Sequence, residues 1–122
     1  MRLTIHWRQK NHTGGDGISL TIRYKFGATT LITENTGDIN MTAFGDQASV
    51  FELMADTATN AQLAKLVHIG INNGVASLFT GRGTASEDST AAKTLAVTFQ
   101  WSAAGGANQS AVMEHATLEQ VK

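Results

Sequence analysis

The 122-residue chain has no cysteine and no proline. Without cysteine there is neither a disulfide framework nor a thiolate metal site, so stability has to come from a packed core. Without proline, turns fall to Gly, Asn, Asp, Ser and Thr, and 12 glycines are present to make them. An excess of one charge is missing too. Nine Lys+Arg against ten Asp+Glu leave a net charge of −1, which gives no basic field to collect nucleic acid and no acidic tail. Apolar runs are a few residues long, far short of a bilayer span, and residues 1–10 lack the apolar stretch of a signal peptide. These absences lead us to expect one soluble domain over 1–122 with a single core, no membrane or nucleic-acid partner, and no room for a catalytic domain plus a second module.

What the chain does have is alternation. In TLAVTFQWSAA (94–104), Leu95, Val97, Phe99 and Trp101 fall at every second place, which predicts a strand with one face in the core. RLTIHWRQK alternates Leu3, Ile5 and Trp7 against polar neighbours, and ISLTIRYKF does the same with Ile18, Leu20, Ile22, Tyr24 and Phe26. The polar, glycine-bearing run NHTGGDG (11–17) joins them, so the two read as a hairpin. TTLIT (29–33) follows a bend at Gly27, and DINMT (38–42) follows a turn at Asn35-Thr36-Gly37. Residues 46–66 are ambiguous: Phe51, Met54 and Ala55 fit a helical stripe, but Thr57, Thr59 and Asn60 suit a turn between two strands, the reading we favour. Asn73-Gly74, between apolar runs, predicts a second hairpin. A polar loop over 81–92 and a last strand over 110–122 complete about eight or nine strands, an all-β antiparallel sandwich.

No chemistry stands out. His6, His12, His68 and His115 share no metal-ligand spacing. Gly14-Gly15-Asp16-Gly17 lacks the Lys-Ser/Thr and the helix of a phosphate loop, and reads as a turn. Gly81-Arg82-Gly83-Thr84 reads as a bend. Glu87, Asp88 and Asp16 lack the alternate oxygen ligands of a calcium loop. Glu52, Glu114, Glu119 and His115 supply carboxylates and a base, but nothing places a nucleophile beside them. No cofactor and no catalytic residue are expected. Trp7, Tyr24 and Trp101, with Arg82, are the candidate contacts to a glycan or a partner, Trp and Tyr offering faces on which a sugar can stack.

The strands SLTIRYKFGATTLITEN and KTLAVTFQWSAAGGANQSAVMEHATLEQV resemble a jelly-roll-like domain of tailed-bacteriophage virion proteins. The resemblance covers residues 3–33 and 93–121. It implies a jelly-roll-like fold, a location in the virion as capsid decoration or as a tail or fibre component, assembly as a homotrimer, and contacts with other virion proteins such as the major capsid or tail proteins. It brings no catalytic motif. Family members commonly carry residues ahead of the strand matching RLTIHW, whereas Met1 lies almost on it here, which suggests an edge covered by a partner or a truncated chain. The small residues Ser102 to Gly106 read equally as a flexible turn and as a place where backbone or a neighbouring subunit approaches closely. The expected function is therefore that of a non-enzymatic virion structural protein, with a host-surface glycan-binding module of the same fold as the alternative.

Overall fold

A computed structural model describes residues 1–11, 17–38, 41–72, 74–103 and 109–120, with backbone alone at 11, 38 and 41–43. Among these residues are eight strands and no helix: β1 (Arg2–Asn11), β2 (Ser19–Phe26), β3 (Thr29–Asp38), β4 (Met41–Ala55), β5 (Gln62–Asn72), β6 (Val75–Ala85), β7 (Leu95–Trp101) and β8 (Gln109–Glu119). They form two antiparallel sheets, in the orders β6-β5-β4-β1-β8 and β3-β2-β7, which pack face to face as a sandwich. The first and last strands pair in one sheet, and the second and seventh pair in the other. That wrapping is the jelly-roll-like feature; a β2-β3 hairpin and a β4-β5-β6 meander fill the rest.

Alternation places the core. On β2, Leu20, Ile22, Tyr24 and Phe26 point inward while Ser19, Thr21, Arg23 and Lys25 lie on the other face. Trp7 of β1 meets Phe99 of β7 with ring centroids 4.9 Å apart, and Tyr24 stacks on Phe51 at 5.4 Å. Both of the largest buried aromatics have a polar atom to satisfy, and one buried hydroxyl serves them: Ser49 Oγ accepts from Tyr24 Oη at 2.9 Å and from Trp7 Nε1 at 3.5 Å. Residues 46–66 form two strands, as expected, joined by a turn in which Asp56 N donates to Ala61 O at 2.8 Å. The β5-β6 hairpin also forms, with Asn72 opposite Val75 and Gly74 at φ +77°; Asn73 lies outside the described residues.

Four expectations are corrected. β1 and β2 are not a hairpin: β1 lies between β4 and β8, β2 between β3 and β7. Each keeps its dry face, but the chain crosses between stacked sheets about 10 Å apart, a gap that a few extended residues span. Residues 12–16, which include His12, Gly14, Gly15 and Asp16, lie outside the described residues.

Asn35-Thr36-Gly37 is likewise a bulge within β3, where a turn was expected. Asn35 sits opposite Thr21 and Asp38 opposite Ser19, so one residue is extra; Gly37, at φ +72°, takes up the kink, and Asn35 Oδ1 accepts its N–H at 2.9 Å. No separate strand covers 38–42, because Asp38 ends β3 and Met41 begins β4, with Ile39 and Asn40 outside the described residues.

Finally, Gly81-Arg82-Gly83-Thr84 lies inside β6, and the loop begins only after Ala85. A Cβ on Gly83 would stand 1.9 Å from Leu31 O, and one on Gly81 2.7 Å from Ile32 Cγ2. These glycines let the β3 backbone pack directly on β6.

Candidate functional site

The five-stranded sheet has one face in the core and one outward, and the outward face is divided. On β5, Lys65, Val67, Ile69 and Ile71 point out; across the ladder, Val67 faces Val50 of β4 and Thr80 of β6, Ile69 faces Ala48 and Leu78, and Ile71 faces Ala76. Val67, Ile69, Ile71 and Leu78 are 44 to 68% exposed, so this aliphatic patch is uncovered. On the other half, β1 presents Arg2, Thr4, His6 and Arg8. Arg2 donates to Glu52 Oε1 from Nε at 3.0 Å and from Nη2 at 2.8 Å. Arg8 pairs with Glu114, and the Arg8 guanidinium and the Lys10 ammonium sit 4.8 and 4.9 Å from the centre of the Phe44 ring.

The two edges of this sheet differ in the same sense. β6 pairs with β5 along all 11 residues without a shift in register, and carries Arg82 as its one charge. Nothing that usually blunts an edge is there: no bulge, no proline, no inward charge. β8 is bulged, because His6 is opposite His115 while Trp7 is opposite Met113, leaving Glu114 extra. It carries Glu114 and Glu119 and no lysine or arginine. The three-stranded sheet does not close the β8 flank, where Leu118 and Met113 are 58% and 46% exposed.

The residues expected as contacts scatter. Trp7 and Tyr24 are core residues at 1% and 0% exposure, so neither offers a ring face to a ligand. Burial pushes the Tyr24 phenol pKa well up, against the hydrogen bond with Ser49, which lowers it, and with a smaller push from the Glu34 charge. Trp101 is half-buried at the end of β7. Arg82 is exposed on the outward face of β6, directly opposite Lys65. Ala104, Gly105 and Gly106 of the expected small-residue approach lie outside the described residues. Glu52 and Glu114 are held in surface ion pairs, and His115 bonds Thr117 Oγ1 at 2.8 Å; a bulge at Glu114 breaks the alternation of faces along β8. At one end of the sandwich, Glu87 accepts from Thr29 Oγ1 at 2.7 Å and pairs with Lys93 at 3.1 Å. The Thr29 hydroxyl first, and then Lys93, hold the Glu87 carboxyl below the usual carboxylate range. Thr90 does the same for Asp88.

At the other end lies a group that local spacing did not reveal. His68 Nδ1 bonds Glu34 Oε1, and His68 Nε2 is 2.9 Å from Gln47 Oε1. Gln47 Nε2 donates to Asn72 Oδ1 at 2.8 Å, and Gln9 Nε2 reaches the same oxygen at 3.4 Å. Gln9, Glu34, Gln47 and His68 are all buried. Their residue numbers share no motif. The available signal was parity: His68 follows Ala64 and Leu66 on the inward face of β5, and Glu34 follows Ile32 on that of β3, so alternation alone puts both in the interior. Both ring nitrogens of His68 are engaged, which leaves none to act as a base. Among the described residues no group of three or more His, Cys, Asp or Glu could hold a metal ion, and no helix is long and apolar enough to cross a membrane. A scan against protein-family models and searches of curated proteins and of solved structures return no match to this chain.

Proposed function

We propose that the chain is a non-enzymatic structural subunit of a bacteriophage virion, a capsid decoration or a tail or fibre component, which assembles through its five-stranded sheet. The observation that carries assembly is the unprotected β6 edge beside the exposed Val67, Ile69, Ile71 and Leu78 patch. A long, regular, unpaired edge is a template for another strand, and a monomer has reason to blunt it. Burying one such aliphatic side chain is worth about 1.5–3 kcal/mol, and each 1.4 kcal/mol is about tenfold in affinity. The virion location rests on the resemblance of the strands at 3–33 and 93–121 to phage virion domains.

Self-association is proposed to be head to tail. The β6 flank carries Arg82 and Lys65, whereas the β8 edge carries Glu114 and Glu119 beside the uncovered Met113 and Leu118. Two different, complementary surfaces generate a ring when the rotation closes, and a homotrimer is the closed form that the resemblance implies. The remaining outward surface is left for a capsid or tail protein. Trp7 and Tyr24 offer no surface for the glycan-binding alternative, because both are interior.

Light scattering over a dilution series tests this reading. A mass of three chains at low concentration is expected. Mixing a chain altered at Leu78 with one altered at Leu118 should give a heterodimer, since each supplies the surface the other lacks. A monomer at every concentration overturns self-assembly, and the absence of a heterodimer overturns the head-to-tail arrangement.

A further inference from the structure

The cross-strand register of the five-stranded sheet can be followed from edge to edge. One outward row runs Glu119 of β8, Arg2 of β1, Glu52 of β4, Lys65 of β5 and Arg82 of β6, each directly opposite the next. The signs alternate until the β6 end, where two cations stand opposite each other, an unfavourable cross-strand pair. Arg2 is taken by Glu52, and Glu119, Lys65 and Arg82 make no ion pair among the described residues. The row therefore ends in a free anion on one edge and a free cation on the other. The inward row beside it runs Leu118, Leu3, Phe51, Leu66 and Gly81. Its ends are unlike too: Leu118 is 58% exposed, whereas Gly81 has no side chain.

We infer, resting on the head-to-tail reading above, that β6 of one copy pairs with β8 of the next as parallel strands, in the register that sets Arg82 beside the partner's Glu119. Strand direction follows from the topology. Neighbours in this sheet are antiparallel and three strands separate β6 from β8, so the two edge strands run the same way. A copy rotated about an axis along the strands presents its β8 to β6 in parallel, with both outward faces on the same side. The partner's Glu119 then supplies the anion that Lys65 and Arg82 lack. One residue along, the partner's Leu118 comes beside Gly81, where no side chain competes for the space. Thr80 comes beside the partner's Thr117 and Leu78 beside the partner's His115, and the bulge at Glu114 ends the ladder there. Other registers fit worse. A slip of one residue turns Leu118 to the outward face, and a slip of two sets Arg82 beside the partner's Thr117 and leaves both charges unmatched.

Light scattering of charge-reversal variants tests the junction. Arg82→Glu and Glu119→Arg should each weaken association at least about fivefold, and the two in one chain should bring it back to within about twofold of the parent, because the pair is only exchanged. A cysteine pair, Arg82→Cys with Glu119→Cys, gives a second readout. Within one chain these positions are four strand spacings apart, about 19 Å, so a disulfide has to join two copies. Bridged multimers are expected on a non-reducing gel, and none from Thr80→Cys with Glu119→Cys, which are out of register. A parent that stays a monomer at every concentration overturns the head-to-tail reading and this junction with it. A parent that assembles, but whose reversals are not rescued in the double variant or whose cysteines at 82 and 119 do not bridge, overturns the junction alone. Loss with Arg82→Glu but not with Glu119→Arg, as two β6 edges paired with each other would give, also overturns it.

Discussion

The two halves of the outward face of the five-stranded sheet are built from the same ladder and have opposite characters. Around β1, charges are matched across the sheet, Arg2 with Glu52 of β4 and Arg8 with Glu114 of β8, and the β8 edge is bulged. On β5 and β6, aliphatic side chains are matched instead, Ile69 with Leu78 and Ile71 with Ala76, and the edge is straight. A single sheet can therefore expose one half to water at little cost while the other half remains in want of a partner. The difference is one of side-chain choice at outward positions, since the backbone pairing is antiparallel throughout.

The largest expected effect removes the support on which the apolar half stands. Gly83→Val would place a side chain where Leu31 O already lies, forcing β3 off β6 at about 3 kcal/mol or more, read as a lowered urea midpoint. Next, Ile69→Lys with Leu78→Glu should lower the light-scattering mass to that of a monomer, while Thr4→Lys on β1, inside the charged half and off the β8 edge, should leave it unchanged. Equal loss with Thr4→Lys would erase the contrast between the halves.

A smaller effect concerns the loop after β6, which Glu87 ties to the β2-β3 turn. Its carboxyl pKa is lowered in the folded chain, so its contribution is present above the unfolded value of about 4.3 and is lost as pH falls through the folded value. Glu87→Gln should therefore be less stable than the parent near neutral pH, with the gap closing in acid; a gap independent of pH would show that its charge is not involved. The smallest effect belongs to the charged half: Arg8→Ala should cost no more than about 1 kcal/mol, because exposed ion pairs contribute little.

Strand positions were legible because burial of one face leaves a period of two, as Leu20 to Phe26 and Ala64 to Leu66 show. The Asn73-Gly74 hairpin was legible because its two strands are neighbours in sequence. The partners of β1 were not: Leu3, Ile5 and Trp7 declare a dry face, but the same face serves beside β2 or between β4 and β8. Gly81 and Gly83 look like turn residues when taken alone, and become necessary only where Leu31 and Ile32 cross them. The outward patch was hidden for a related reason, since Leu78 and Ile69 become one surface only when β5 and β6 align.

The sequence by itself determined that this is an all-β chain with no cross-links, where most of its strands run, and which side chains share a face, because those properties depend on composition and on the geometry of an extended backbone. Tertiary structure alone decided that Trp7 and Tyr24 are interior, that Glu34 and His68 meet, and that one edge is guarded and the other open. Those outcomes depend on which strands become neighbours, a choice made by the packing of two whole sheets and not by any segment within them.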